Sequence, residues 1–298
     1  MRVLVTGATG YVGTAVINEL VGAGHSVLGV ARTDEGAKAL AARGIAVHRG
    51  DLTEPKTLAD AARVCDGVVH TAFIHDFSRF AENTEIERVA VEAVLDALAG
   101  SDKPFVVSSG LLMTRPGQLL TETDAGADFG RAATENLVVA AAGRGVRTAA
   151  IRLSPTVHSK DDRGFTPRLI DIARQSGVAA YIGDGANRWP AVHRLDAARL
   201  YRLALEKGSP GARYHAVADG GIPTRQIAEA IGRHLNLPVQ SLPAEKAGEH
   251  FGFLGTFFGL DAPTSAEATR AELGWTPREP GLLAGLATDA YYQAGSKY

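Results

Sequence analysis

MRVLVTGATGYVG, residues 1–13, sets the architecture of this chain of 298 residues. A β-type run, Arg2–Thr6, leads directly into Gly7, Gly10 and Gly13. Gly7 permits the tight turn after the strand, Gly10 lets the backbone approach a pyrophosphate, and Gly13 lets the next helix pack closely on the strand. That helix directs its free N–H groups and the positive end of its dipole at the phosphates. The stretch therefore predicts a nucleotide-binding enzyme scaffold.

The composition is that of an ordinary soluble globular protein, with 45% hydrophobic and 21% charged residues. A net charge of −2 gives no electrostatic reason to expect nucleic acid or an anionic membrane as partner. Cys65 is the single cysteine, which excludes an intrachain disulfide, and we interpret it as a buried structural thiol in a reducing compartment. We expect neither a signal peptide nor a membrane span, and a cytoplasmic location.

Short Val-rich runs alternate with helical patterns through the first half of the chain, and the helical patterns are clearest over Glu82–Leu98 and Arg131–Ala142. This alternation predicts an α/β fold with a Rossmann-type, doubly wound parallel sheet. Its ligand should lie at the carboxyl ends of the strands. The predicted strands are Arg2–Thr6, Ser26–Ala31, Ala46–Arg49, Gly67–His70, Phe105–Ser108 and Thr148–Leu153.

Proline and glycine become frequent after about Leu153, which indicates a smaller, interleaved C-terminal portion that binds the substrate. We assign residues 1–155 to an NAD(P)-binding Rossmann domain, to which residues 188–207 return. Residues 156–187 and 208–298 form the predicted substrate-binding portion.

With the leading Thr6, the glycine spacing resembles the TGxxGxxG signature of the extended short-chain dehydrogenase/reductase superfamily, the NAD-dependent epimerase/dehydratase group. The resemblance continues through most of the chain. It implies a nicotinamide dinucleotide cofactor, bound in this first turn by Gly7, Thr9, Gly10, Tyr11, Val12 and Gly13.

Arg32 lies at the end of the second predicted strand, with Asp34 two residues further on. An acid at this strand end is typical of NAD sites, whereas an arginine accommodates the 2′-phosphate of NADP. Because guanidinium binds phosphate through paired, charge-assisted hydrogen bonds, we expect NADP rather than NAD. The alternative is a solvated arginine at a helix start, with Asp34 as the N-cap.

Three later segments extend the resemblance along the sheet edge. Asp51 and Leu52 resemble the pair beside the adenine, although Asp51 could instead cap the helix that begins near Pro55. Residues 68–73 resemble the strand end that passes the cofactor ribose and nicotinamide, and residues 152–158 resemble the segment that holds the carboxamide. The cofactor residues implied in and beside these segments are Asp51, Leu52, Thr71, Ala72, Phe73, Ser108, Arg131, Pro155 and Val157.

Reduction of a carbonyl requires a proton for the nascent alkoxide. The family supplies it from a tyrosine whose pKa is lowered by a lysine four residues later. This chain has no tyrosine between Tyr11 and Tyr181. With Glu135 as anchor, the family pattern places Arg131 at the lysine position and Ala127 at the tyrosine position. The chain therefore resembles an atypical member that lacks the usual acid, and Arg131 cannot replace it because its pKa stays above about 12.

Three other residues are candidates for the catalytic site. Ser109 lies next to Gly110, where the family pattern places a hydroxyl. His75 follows the fourth strand beside Asp76 and is a candidate acid or substrate contact. His158 follows the segment implied to hold the nicotinamide. For both histidines the alternative is a packing or surface role.

Asn187, Arg188 and Trp189 could orient a substrate, or they could only fix their loop. Phe253 and Phe257 could line a hydrophobic pocket, or they could pack a core or a dimer interface. We interpret His193 as structural, with Asp196 as the cap of the next helix. The histidines show no metal-ligand spacing, so we predict no metal.

These observations lead us to expect an NADPH-dependent reductase of a small, hydrophobic carbonyl or enone, with a non-standard proton donor. Two alternatives stay open: a redox-neutral epimerase or dehydratase that uses bound NAD(P), and a non-catalytic protein that senses NADP. The expected partner is a small-molecule substrate, without nucleic acid or membrane, and the resemblance implies a homodimer.

Overall fold

Strands and helices alternate along the chain because apolar runs bounded by glycine are separated by amphipathic segments. The structure, a computed structural model, describes residues 1–111, 116–126, 128 and 130–293. The strands are β1 (Arg2–Thr6), β2 (Ser26–Ala31), β3 (Ala46–Arg49), β4 (Gly67–His70), β5 (Pro104–Gly110), β6 (Arg147–Leu153), β7 (Thr156–His158), β8 (Ala179–Ile182), β9 (Arg188–His193), β10 (Ala212–Ala216), β11 (Asp219–Pro223) and β12 (Val239–Leu242). The helices are α1 (Tyr11–Gly22), α2 (Asp34–Ala41), α3 (Pro55–Arg63), α4 (Phe80–Leu98), α5 (Gly130–Ala140), α6 (Phe165–Ser176), α7 (Arg194–Lys207), α8 (Thr224–Leu235), α9 (Ala247–Phe251), α10 (Leu254–Phe258), α11 (Glu267–Leu273) and α12 (Leu282–Leu286).

A parallel sheet forms the centre of the fold. Among the described residues it has seven strands in the order β10-β6-β5-β4-β1-β2-β3. The strand order reverses between β1 and β4, whose last residues, Thr6 and His70, pair side by side. Buried apolar clusters cover both faces of the sheet. This confirms the predicted doubly wound, Rossmann-type fold, and the reversal point is where such a fold places its ligand.

The edge strand β10 lies within residues 208–298, which the sequence assigned to the substrate-binding portion. The central sheet therefore includes more of the chain than the apolar pattern predicted. The β10 sequence, ARYHA, alternates polar and apolar residues and lacks the Val-rich run that marks the inner strands.

The C-terminal portion contains a three-stranded sheet (β11-β9-β7) and a two-stranded sheet (β12-β8) among the described residues. Its own core includes Trp189, Phe251 and Phe258. The segment after α11 then returns to the central sheet, where Trp275 packs in the same cluster as Tyr201 of α7.

Cys65 is buried beneath the central sheet, as expected, and burial raises the pKa of its thiol. None of the described helices is long and apolar enough to cross a membrane.

Candidate active site

The turn between β1 and α1 depends on glycine at two positions. Gly7 has φ +66°, and a Cβ added there would lie 2.7 Å from Thr71 Oγ1 and 2.8 Å from Ala72 N. A Cβ at Gly13 would lie 2.1 Å from Gly7 O. Gly10 is the N-cap of α1 and supplies no capping side chain. The first N–H groups of α1 therefore open toward any anion seated at this turn.

A cleft of about 620 Å³ opens at this turn, along the carboxyl ends of the central strands. It is lined by all the residues predicted to hold the cofactor, although the roles assigned to them stay predictions. These residues are Gly7, Thr9, Gly10, Tyr11, Val12, Gly13, Arg32, Asp51, Leu52, Thr71, Ala72, Phe73, Ser108, Arg131, Pro155 and Val157.

Arg32 marks one end of the cleft. Its side chain is 69% exposed, and its Nε lies 3.6 Å from Asp51 Oδ2. The N-cap of α2 is Thr33, whose hydroxyl accepts a backbone N–H, so the alternative of an Asp34 cap is wrong. Asp34 instead pairs with Arg49 across 3.0 Å.

Asp51 does not cap the following helix. Its Oδ1 accepts hydrogen bonds from the backbone N–H and the hydroxyl of Thr53, and the residue at the N-cap of α3 is Glu54. Asp51 therefore faces the cleft from the loop after β3.

Arg131 is fixed at the cleft wall by three neighbours. It donates to both carboxylate oxygens of Glu87, at 2.8 and 3.2 Å, and to Ser108 O at 2.7 Å. Its guanidinium also stacks over the Phe73 ring, 4.5 Å from the centroid. Ala127, which stands at the family's tyrosine position, lies outside the described residues.

Ser108 and Ser109 face opposite sides of β5, since side chains alternate along a strand. Ser108 lines the cleft, and its hydroxyl lies 2.6 Å from Tyr201 Oη. Ser109 is buried on the other side, against Glu135 of α5, so the prediction of a catalytic Ser109 is wrong. At Gly110 an added Cβ would meet no atom of the described residues within 4 Å.

His75 lines the cleft, and the edge of its exposed ring meets Phe73 with centroids 5.3 Å apart. Partial desolvation, and then the positive charge of Arg131, lower the pKa of His75 below its ordinary value. Because the imidazole is then neutral near pH 7, it is a poor acid there. The neighbouring Asp76 carboxylate binds Ser78 and starts a short 3₁₀ turn.

His158 does not reach the cleft. Alternation along β7 turns Val157 toward the cleft and buries His158, whose Nδ1 lies 2.7 Å from Tyr291 Oη. Burial, and then the nearby His193, lower the pKa of His158 to about 3. The prediction of a catalytic His158 is therefore wrong. His193, rather than Asp196, supplies the side-chain cap of α7.

The side chains expected to contact the substrate, Asn187, Arg188 and Trp189, instead stabilise the loop that carries them. Asn187 donates to backbone carbonyls of the C-terminal portion, and Arg188 binds the Asp261 carboxylate at 2.8 and 2.9 Å. Trp189 is buried, with its Nε1 donating to Thr156 Oγ1 at 2.7 Å. None of the three lines the described cleft, so the alternative of a fixed loop holds.

Phe253 and Phe257 also lie away from the cleft. They are 57% and 42% exposed, and Phe257 meets Phe165 edge-on. The expected pocket wall from these rings is therefore not present at the cleft. Its apolar wall comes from Phe73, Ile74, Leu153 and Val157.

A second carboxyl lines the cleft, and the sequence analysis did not predict it. Asp162 lines the cleft but is only 7% exposed, and burial raises its pKa to about 6. The adjacent Tyr11 Oη lies 2.8 Å from Ser159 Oγ, and the Arg194 guanidinium lies over the Tyr11 ring. The sequence signal was weak: an Asp-Asp-Arg-Gly turn shortly after residues 152–158.

Comparison with known families identifies the family of this chain. The model described as the NAD dependent epimerase/dehydratase family matches residues 3–217. The chain belongs to this family. Membership confirms the resemblance to the extended short-chain dehydrogenase/reductase superfamily and the prediction of an NAD(P)-dependent enzyme of that type.

Individual members of the family resemble the chain over most of its length. An uncharacterized Saccharomyces cerevisiae protein, YLL056C, is 45% identical to this chain, and the alignment covers 95% of this chain and 97% of the yeast protein. A Stigmatella aurantiaca enzyme, 4-hydroxy-2-methyl-3-oxo-4-farnesyl-3,4-dihydroquinoline-1-oxide ketoreductase, is 29% identical over 85% of this chain and 80% of its own length. The dTDP-glucose 4,6-dehydratase DesIV of Streptomyces venezuelae, solved with NAD bound, shares the fold, with a TM-score of 0.77 at 19% identity over 98% of this chain and 97% of its own.

Proposed function

We propose that this member of the epimerase/dehydratase family is an NADPH-dependent reductase of a small, hydrophobic carbonyl or enone. The observation that carries the proposal is one continuous cleft. It joins the glycine turn, an exposed arginine at the end of β2 and an apolar wall beyond β4. A dinucleotide needs all three features: a contact for the adenosine ribose, a cradle for the pyrophosphate in the middle, and a dry site for the nicotinamide.

The charges around the end of β2 favour a 2′-phosphate. Arg32 is exposed and its contact with Asp51 is long at 3.6 Å, so its guanidinium is available to a phosphate. Asp34, the acid that could repel that phosphate, is paired with Arg49. Arg49 also donates to Arg32 O at 3.0 Å, which places a second cation beside the same turn.

The far end of the cleft suits reduction of an apolar carbonyl. When bound, a reduced nicotinamide dinucleotide supplies hydride. Phe73, Ile74, Leu153 and Val157 would exclude water from the reacting carbon, and the fixed guanidinium of Arg131 would orient a ribose hydroxyl or a substrate oxygen. The ketoreductase of Stigmatella aurantiaca supports reduction over redox-neutral chemistry.

The NADP assignment is tested by the variant Arg32→Ala. We expect NADPH to bind the wild type at least tenfold more tightly than NADH, and the variant to lose most of that difference. Fluorescence titration with each nucleotide measures both dissociation constants. Arg43→Ala is the control, because Arg43 is an exposed arginine that binds Asn18 away from the cleft. Equal constants for the two nucleotides in the wild type would contradict the assignment.

The reductase proposal is tested by NADPH consumption with a panel of aromatic diketones, aldehydes and cyclic enones, followed at the nicotinamide absorbance band. Net consumption supports reduction. A redox-neutral epimerase or dehydratase would retain its nucleotide and show no net change. An NADP sensor would consume none and would bind a protein partner in a nucleotide-dependent way.

A further inference from the structure

An incompletely bonded carboxyl lies in the wall of the cleft. Asp162 Oδ1 accepts the Gly164 N–H at 2.7 Å, while the shielded Oδ2 has no hydrogen-bond partner among the described residues. The buried Thr166 hydroxyl faces the same carboxyl and stabilises its ionised form, although its Oγ1 is outside hydrogen-bond geometry with any described residue. Apart from Thr166 and the Gly164 N–H, no described side chain bonds this carboxyl, so it keeps hydrogen-bonding capacity for a polar group of a ligand in the cleft.

Hydroxyl side chains from three elements lie near the Asp162 carboxyl. Tyr11 faces it from α1, Tyr291 faces it from the C-terminal turn, and Thr166 faces it from α6. Asp162 forms no ion pair with the residues that the structure describes, and the nearby cation Arg194 is stacked on the Tyr11 ring. Burial raises the pKa of Asp162 to about 6, so that a minor fraction of the carboxyl is protonated at pH 7 and a larger fraction in mildly acidic solution.

Asp162 lines the same cleft as the segment implied to hold the nicotinamide. Pro155 and Val157 line the cleft, and four residues separate Val157 from Asp162 in the connection between β7 and α6. Among the other candidates, Arg131 stays protonated, and burial together with the charge of Arg131 lowers the pKa of His75, whereas burial raises that of Asp162.

We propose that the Asp162 carboxyl is the general acid of this enzyme, an inference that rests on the reductase function proposed above. As hydride reaches the carbonyl carbon and the C=O π pair moves to oxygen, the Asp162 O–H bond breaks and its proton goes to that oxygen. The carbonyl becomes an alcohol while the dihydronicotinamide is oxidised. The Asp162 carboxylate then regains a proton from water.

The first test places the carboxyl relative to the nicotinamide without any turnover. Aspartate carboxyl carbons are labelled with ¹³C, and the Asp162 signal is assigned by its loss in Asp162→Asn. We expect its titration midpoint to lie about one unit lower with NADP⁺ than with NADPH, because only the oxidised ring is positively charged. Asp51, at the other end of the cleft, is the internal control and should not distinguish the two nucleotides.

The second test measures the proton-transfer role. With 1-phenyl-1,2-propanedione as the probe, we expect Asp162→Asn to lower kcat by about 10²- to 10⁴-fold. The dissociation constant of the Asp162→Asn variant for NADPH should equal that of the wild type. The wild-type kcat should fall as pH rises through about 6, and the variant should lose this dependence. Asp161→Asn is the matched control, because Asp161 is an exposed neighbour outside the described cleft.

The outcomes separate the two proposals. An active wild type with an equally active Asp162→Asn overturns the acid role alone, as does a midpoint that is identical with NADP⁺ and NADPH. A wild type that binds NADPH but reduces none of the carbonyls overturns the reductase function and the acid role together. If Asp162→Asn misfolds, loss of the same signal in Asp162→Glu assigns it, and the wild-type titration then decides the placement without any active variant.

Discussion

The arginine at position 131 gives this site a different hydrogen-bonding geometry from that of a lysine. Where the family pattern has a lysine, this chain has a guanidinium bound to both oxygens of Glu87, a carboxylate with a side chain only 1% exposed. A planar fork suits two parallel hydrogen bonds, whereas an ammonium group would act as a point charge. The ion pair therefore fixes the cleft wall, and Arg131 acts as a rigid donor to neighbouring oxygens.

Arg131→Ala should cost about 3–5 kcal/mol of unfolding free energy near neutral pH, because it leaves the Glu87 charge buried without a partner. Burial already raises the pKa of Glu87, so without the arginine the folded state takes up a proton more readily than the unfolded chain. The loss should therefore be smaller at pH 5 than at pH 8. Urea denaturation at both pH values measures it.

The double variant Arg131→Ala/Glu87→Gln supplies the control. Removal of the buried charge should recover most of the lost unfolding free energy. Equal losses in the single and double variants would mean that the ion pair is not the cause.

At the same scale, sequence predicted backbone roles better than side-chain directions. The glycines of the first turn were identifiable because local geometry admits no other residue there. Ser109 and His158 were misassigned because a shift of one residue along a strand turns a side chain to the opposite face. Asp162 was missed because its burial is a property of the tertiary fold, and its neighbours Tyr11 and Tyr291 are distant in sequence.

At the scale of elements, Glu135 connects three of them. From α5 it accepts hydrogen bonds from Arg152 of β6 and from Arg213 of β10. Burial opposes its ionisation, but the two arginines hold the pKa of Glu135 below its ordinary value. The edge strand β10, which the apolar pattern missed, is thus joined to the sheet by charge as well as by backbone pairing.

Glu135→Gln should therefore destabilise the fold in a pH-dependent way. Because the folded pKa of Glu135 is depressed, its contribution is fully present above the unfolded pKa of about 4.5 and is lost as pH falls through the folded pKa. The gap in unfolding free energy between wild type and variant should be about 3–5 kcal/mol at pH 7 and should shrink below pH 4.5. Denaturation curves from pH 7 to pH 4 measure it.

Glu229→Gln is the comparison for this prediction. Glu229 also binds an arginine, Arg225, but on the exposed face of α8, where ion pairs contribute little. A gap for Glu135→Gln that is no larger than that for Glu229→Gln would contradict the connecting role of Glu135.

At the scale of the whole molecule, the two portions are interleaved rather than consecutive. The alternation of strands and helices identified the Rossmann sheet, because that signal is local and repeated. The return of the C-terminal segment left no such signal, since its partners lie about eighty residues upstream: Trp275 Nε1 donates to Asp196 O, 79 positions away, at 2.9 Å. Asp196 is fully buried in the first turn of α7.

Asp196 should therefore determine the stability of both portions together. Its carboxylate accepts the backbone N–H groups of Arg278 and Glu279, at 2.7 and 3.1 Å, and binds Arg199. Asp196→Ala leaves these donors without their acceptor, at a cost of about 2–4 kcal/mol. Asp60→Ala is the control, because Asp60 binds Lys56 and Arg63 but lies on the surface.

The two tryptophans report on the two portions separately, because Trp189 lies in the C-terminal core and Trp275 lies against the central sheet. In a Trp275→Phe background, urea unfolding of Asp196→Ala is followed by Trp189 fluorescence and by far-ultraviolet circular dichroism. If the shared core makes unfolding cooperative, the fluorescence and dichroism transitions should have the same midpoint. This midpoint should lie at a lower urea concentration than in the Trp275→Phe protein that retains Asp196. A fluorescence transition that separates from the dichroism would show that the C-terminal portion unfolds independently, and Asp196 would then serve only its own segment.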